Sequence, residues 1–309
     1  MGVRSATEAI TRQEWLTPVE ETLQHRIHEA FRSAGTIGQK IKNALHGTWL
    51  GHPLHAELTD IPIGTWTAAV VCDVIDITTD QHQWGESADA TLTLGIIGAL
   101  CAAVAGLTDW QDTDPPARRI GLIHGLVNIA AVGLFAGTAI ARKRKLRGLG
   151  RSLAALGYAV ASTTARLGGN MVFEHRVGVD HTAGQTFPDH FVPVLAEPEL
   201  QDGTLWRVEY QGAPVLLARR GDRLFALAEK CSHWGGPLSE GKIIDDSVRC
   251  PWHGSRFALE DGRVIDGPAV HPQPCANSQW PDRNRHVVSP SRIPLVPSAA
   301  EGSPALGQV

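Results

Sequence analysis

The chain has 309 residues, enough for two domains, with a formal net charge of −4 and 43% hydrophobic residues. That balance lacks the basic surplus of a nucleic-acid binder, so no nucleic-acid partner is expected. Mean hydropathy is −0.09, a soluble average that hides a strongly apolar first half.

Residues 1–47 read as a polar, helical N-terminal arm. Thr17-Pro18-Val19-Glu20 predicts a helix start, with Thr17 as N-cap and Pro18 at the first helical position. Leu16, Val19, Leu23, Ile27, Ala30 and Phe31 follow at helical spacing, and Gly35 should end that helix. Ile37, Ile41 and Leu45 predict another. The arm either packs on its own protein or lies on a membrane surface. No apolar stretch follows the basic residues near the start, so no signal peptide is expected.

Four apolar segments come next, at about 61–77, 88–108, 120–141 and 153–172. About 20 apolar residues span a bilayer as a helix. The second and third segments meet that length. The first carries Asp73 and Asp76, and the fourth is interrupted by Arg166. Gly95, Gly98, Ala102 and Gly106 suit close helix packing in lipid. The expectation is a four-helix transmembrane domain over 48–180, set against a soluble bundle of buried helices. The run Arg142-Lys143-Arg144-Lys145-Leu146-Arg147, with Arg151 behind it, makes loop 142–151 cytoplasmic by the positive-inside rule. Residues beyond 180 then fall on the opposite side.

Gly51-His52-Pro53-Leu54-His55, Ile61-Pro62-Ile63-Gly64, Ala105-Gly106-Leu107-Thr108-Asp109-Trp110, Gly168-Gly169 and Gly178-Val179 carry a resemblance. Together they resemble an uncharacterised family of small four-helix bacterial membrane proteins. The resemblance implies the topology and a bacterial cell membrane, and no activity.

His52, His55, His124 and His175 fall at one face of such a bundle. They are candidate ligands of a haem b, or the frame of a quinone or metal site. Otherwise they cap helix ends, with Asp60, Asp109 and Asp112 as partners.

Residues 181–193 read as a linker and 194–289 as a small antiparallel β domain. Trp206, Val208 and Tyr210 alternate with Arg207 and Glu209, strands follow at 215–218 and 224–228, and Asp261-Gly262 marks a hairpin. Clean alternation fails after Cys275, so the closing strands should be short or degenerate. Residues 290–309, rich in Pro, Ser, Gly and Ala, read as a disordered tail.

Two loops in that domain carry the chemistry. Cys231-Ser-His233-Trp-Gly-Gly-Pro-Leu and Cys250-Pro-Trp-His253-Gly-Ser-Arg-Phe stand sixteen residues apart, counted between His233 and Cys250. Each offers one thiolate and one imidazole. The same four ligands could hold a zinc ion, although zinc fingers usually place a Cys pair before a His pair. Cys72, Cys101 and Cys275 form no obvious disulfide framework.

These motifs, from about residue 191 to about residue 274, resemble the Rieske [2Fe–2S] family, in its ferredoxin and oxygenase branches. The resemblance implies two cysteines on one iron and two histidines on the other. Gly236 and Trp252 stand where respiratory members carry a disulfide. Ser255 stands where family members donate a hydroxyl to a bridging sulfide, and Phe257 where others place a hydroxyl-bearing Tyr. The imidazoles are expected at the surface of the domain tip.

Only 56 residues follow His253, too few for an oxygenase's catalytic domain, and their histidines are His271 and His286. The leading expectation is a membrane-anchored electron-transfer protein passing single electrons between a redox partner protein and a membrane carrier, haem or quinone. The alternatives are a quinone- or haem-dependent oxidoreductase acting at the histidine cluster, and an iron–sulfur redox sensor. With one of the two sulfur-directed hydroxyls missing, a redox titration should give a potential below about +200 mV.

Overall fold

The computed structural model describes residues 3–79, 83–185, 200–210 and 212–276. Most of the expected linker, the start and end of the expected β domain, and the expected tail at 290–309 lie outside the described residues.

The arm forms helices α1 (Val3–Thr11), α2 (Thr17–Ser33) and α3 (Gly35–His46). Thr17 does not cap α2: Leu16 takes that position, and the Thr17 hydroxyl accepts a hydrogen bond from Arg119 Nη2 at 2.7 Å. A tertiary partner has taken the side chain away from its local use. Glu20, fully buried, receives Arg118 at 3.2 Å and Arg119 at 2.9 Å. Gln24 donates to the carbonyls of Trp110 and Thr113. These contacts pin the arm to the bundle, while Trp15, Ile37, Ile41 and Trp49 stay exposed.

Four long helices follow: α4 (Leu54–Thr79), α5 (Gln83–Trp110), α6 (Ala117–Lys143) and α7 (Arg147–Phe173). At 26 to 28 residues each is about 40 Å long, more than a hydrocarbon core needs. Among the described residues α4, α5 and α6 are long and apolar enough to cross a membrane; α7 is not counted with them. Helix α4 packs on α5 and α7, and α6 on the same two, so α4 and α6 face each other across the diagonal.

The bundle is built inside out. Large apolar side chains, including Val71, Val74, Ile97, Leu100, Ile129 and Ile140, point outward, whereas Ala69, Ala88, Ala102, Ala105, Ala131 and Ala154 are buried. Lipid tails are as apolar as leucine, so helices gain by close approach through small residues. Trp66 stacked on Phe135, with ring centres 3.9 Å apart, fills the space this leaves in one half of the bundle.

Asp73 and Asp76 are reconciled with an apolar helix by their position. Arg142 pairs with Asp73 and, at 2.6 Å, with Asp89; Arg151 pairs with Asp76. Three arginines of the expected cytoplasmic run, Arg142, Arg147 and Arg151, are therefore engaged by acids of the bundle.

The β domain has two antiparallel sheets. One is β1 (Leu205–Tyr210), β2 (Ala213–Arg220) and β3 (Arg223–Ala228). The other is β4 (Lys242–Ile244), β5 (Ser247–Arg249), β6 (Arg256–Ala258) and β7 (Val264–Asp266). Leu216, Phe225, Leu227, Val248, Phe257 and Leu259 form the core between them, together with Cys231 and Cys250. After β7 the described chain makes one isolated bridge, Leu227 to Cys275.

The β domain sits on α3 and on the α5–α6 turn, the end of the bundle away from the basic turn at Lys145. Asn43 donates to the Ile265 carbonyl (3.3 Å) and Asp266 Oδ1 (3.0 Å), and accepts the Gly267 N–H (3.0 Å). Replacing Glu20 by Ala leaves two guanidinium groups buried without their shared carboxylate. The expected loss is about 3 kcal/mol, read as a lower melting temperature of detergent-purified protein.

Candidate metal centre

Both candidate loops hang from the β core. The first follows β3, where Cys231 N–H donates to the Gly236 carbonyl and Gly235 N–H to the Cys231 carbonyl, each at 2.8 Å. This closes a tight turn around His233. A side chain at Gly236 would press on Cys250 Sγ and the Trp252 ring, within 3.0 Å of both. The second loop lies between β5 and β6, closed by Cys250 N–H to the Ser255 carbonyl at 2.8 Å.

The turns bring all four candidate ligands together. The thiols of Cys231 and Cys250 hydrogen-bond to each other, and the rings of His233 and His253 lie 5.1 Å apart between centres, nearly perpendicular. The hydrogen bond from Cys231 holds the Cys250 thiol below its usual range, against its burial and helped by the N–H groups of Trp252 and His253. The same bond, then burial, raises Cys231. Burial, followed by the neighbouring His253, lowers His233 to about 3, so it is a neutral imidazole at pH 7.

His253 Nδ1 is buried without a hydrogen-bond partner, while its Nε2 faces Asp114 Oδ2 at 3.3 Å. An Nε2–H held by the carboxylate leaves Nδ1 as a lone pair aimed inward, the arrangement a metal ligand requires. Among the described residues no three His, Cys, Asp or Glu side chains converge on one ion. Two thiols beside two imidazoles suit a two-iron cluster with two protein ligands per iron better than a single tetrahedral ion. Ser255 is fully buried; its oxygen accepts the Ala269 N–H at 3.0 Å, which leaves the hydroxyl hydrogen available.

The surroundings differ from the expected open tip. Both imidazoles face the chain's own helical half, and His253 keeps only 15% of its side chain exposed. Beneath them Asp112, 1% exposed, receives Lys42 at 2.9 Å and lies 3.4 Å from His46 Nε2; His46 Nδ1 meets Asp109 at 2.6 Å. Burial would raise Asp112, but the close approach of the His46 imidazole and the charge of Lys42 outweigh it and hold the carboxyl below its usual range. Burial would lower His46, but Asp109 and Asp112 outweigh it and leave it raised. A cleft of 820 Å³ beside His253, lined by His28, Arg32, Lys42, Arg249 and the half-exposed Trp252, gives access from outside.

Sequence reasoning missed Lys42, Asn43, His46 and Asp114, which belong to the other half of the chain. It also missed Gln273, 1% exposed, which accepts the Ser232 N–H and donates to the carbonyls of Ala228 and Lys230. No local pattern marks a brace that reaches back some 40 residues.

Of the four membrane-half histidines, only His55 and His124 meet, with ring centres 6.5 Å apart. His52 is half-exposed beside Glu57 at 3.3 Å, and His175 lies past the end of α7. Asp109 and Asp112 serve His46 rather than this group.

Residues 51–181 match the family described as "Predicted membrane protein (DUF2231)", and residues 190–279 match "Rieske [2Fe-2S] domain". Ferredoxin CarAc of Metapseudomonas resinovorans is 35% identical over 83 residues, which are 26% of this chain and 78% of CarAc. Apoptosis-inducing factor 3 of Mus musculus is 38% identical over 72 residues, 23% of this chain and 12% of that protein. The chain thus spans about an eighth of that relative. Among solved structures, the ferredoxin of carbazole 1,9a-dioxygenase from Nocardioides aromaticivorans IC177 is similar, at 28% identity and TM-score 0.27, covering 27% of this chain and 83% of that one.

Asn43→Ala removes all three hydrogen bonds to the 265–267 turn. Docking should weaken by about 2 kcal/mol, seen as faster amide hydrogen exchange at Gly267. Because the His46 pKa is raised above 6.5, its stabilisation is complete below 6.5 and is lost as pH rises through the folded value. Melting temperature should accordingly fall with rising pH above 6.5, and His46→Phe should flatten that slope.

Proposed function

The chain belongs to the Rieske [2Fe–2S] family, and from that premise we propose that it is a membrane-anchored electron-transfer component, not a complete oxygenase. Cys231, Cys250, His233 and His253 hold the cluster. When bound, the cluster supplies one-electron chemistry at a potential raised by its imidazole ligands. The observation that carries this reading is the buried, unpartnered Nδ1 of His253 beside a neutral His233 and two adjacent free thiols.

The protein's own groups each have a task. Asp114 keeps the His253 proton on Nε2 and so presents Nδ1. The N–H groups of His233, Trp234, Trp252 and His253 point at the two sulfurs and favour thiolate over thiol. Gln273 and Ser255 tie the two loops to the chain that follows β7.

The contact between the imidazole edge and the helical half supports exchange with a membrane carrier, quinone or haem, on that side. The cleft between the arm and the second loop, with Trp252 in its wall, supports docking of a soluble redox protein there. Four spans over 48–180, with loop 142–151 cytoplasmic and the β domain opposite, is the topology that fits this reading.

A dithionite-reduced minus air-oxidised spectrum of the purified full chain should show a broad visible bleach. Cys250→Ser should abolish it while the helical half stays inserted. An unchanged bleach in that variant would refute the ligand assignment.

A further inference from the structure

We propose that the helical half binds a b-type haem between His55 on α4 and His124 on α6, with the two imidazoles as axial ligands. The proposal rests on the electron-transfer reading above but uses none of the cluster's residues.

The geometry comes first. The rings stand 6.5 Å apart between centres, at 88°, on helices that face each other across the bundle diagonal. Imidazoles on opposite sides of one iron have ring centres roughly 6 to 6.5 Å apart, given metal–nitrogen bonds of about 2 Å.

Each ring is also held as a metal ligand is held. Nδ1 of His55 lies 2.8 Å from the Ala102 carbonyl, and Nδ1 of His124 lies 3.0 Å from the Thr164 carbonyl. A carbonyl only accepts, so Nδ1 carries the proton and Nε2 is the lone-pair end in both.

That inventory selects the ligand. An oxidised quinone offers acceptors alone, and both imidazole N–H groups are already spent. A bare metal ion needs further protein ligands, and among the described residues no third His, Cys, Asp or Glu joins the pair. A metalloporphyrin brings its own four equatorial nitrogens and asks for two axial ones.

Room for the rings comes from missing side chains. A Cβ at Gly106 would lie 2.7 Å from the His55 ring, and one at Gly168 would lie 3.2 Å from the His124 ring. Asn128 Nδ2 lies 3.0 Å from His124 Nε2 and is also 3.1 Å from Thr164 Oγ1. It therefore keeps a partner when iron takes the nitrogen. Ala102 is seven residues before Asp109 on α5, about 10 Å deeper. Asp109 bonds His46 under the cluster loops, so the haem would lie close below them.

The test uses the full chain, expressed with haem precursor supplied and purified in detergent. Sharp α and Soret bands, with haem stoichiometric with the chain, are expected. His55→Ala and His124→Ala should each lose the bands, with added imidazole restoring them, while His52→Ala and His175→Ala keep them. A persisting electron paramagnetic resonance signal from the reduced cluster shows that the histidine variants fold. Absence of a Soret band in the wild type, or its survival in both variants, overturns the proposal. So does a co-extracted quinol without haem, which would leave the electron-transfer reading intact. Cys250→Ser should give the reverse pattern, haem kept and cluster signal lost. No cluster signal in wild type that still shows haem bands would overturn the electron-transfer reading alone.

Discussion

Asp112 is a carboxylate with 1% of its side chain exposed, and the cost of burying that charge dictates what surrounds it. Lys42 and His46 supply positive charge from α3, and Asp109 orients His46 from α5. The arm cannot leave without exposing an unpaired buried acid. Asn43 lies between Lys42 and His46 on the same helix and carries the β domain. One buried charge thus fixes the arm to the bundle and, through the arm, sets the position of both candidate loops.

A second set of buried charges works at the far end of the bundle. Asp73 and Asp76 would be costly in hydrocarbon, yet Arg142, Arg147 and Arg151 meet them there, together with Asp89. Between the two charged ends the bundle is held by small residues in contact, with the large apolar side chains turned outward. The polar ends fix the helices along their axes, and the small residues set how closely they approach.

Around the Cys and His pairs, local and distant parts of the chain divide the labour. The turns after β3 and β5 aim the ligands using hydrogen bonds within a few residues. Their environment comes from elsewhere: Asp114 from the α5–α6 turn, Gln273 from the end of the described chain and His46 from α3. The imidazoles face the chain's own helices, and the ties that hold them there can be broken one residue at a time.

The sequence by itself determined the parts with local signatures. Cys231, His233, Cys250 and His253 were legible because short spacing and flanking Gly and Pro force two tight loops. The long helices were legible because apolar runs of that length have few other outcomes. The β strands showed through alternation, and Trp206 on β1 is half-exposed. Tertiary structure decided whatever depends on contacts between distant residues. It reduced four histidines at one face to the pair His55 and His124, because the others sit beyond the helix ends. It drew Thr17 away from its cap toward Arg119, and it assigned Asp109 and Asp112 to His46. It turned the imidazole edge inward, onto a helix some 190 residues earlier in the chain. Periodicity and spacing report what a residue does to its neighbours along the chain, whereas buried charges are matched across space, and only the fold records which partner each one found.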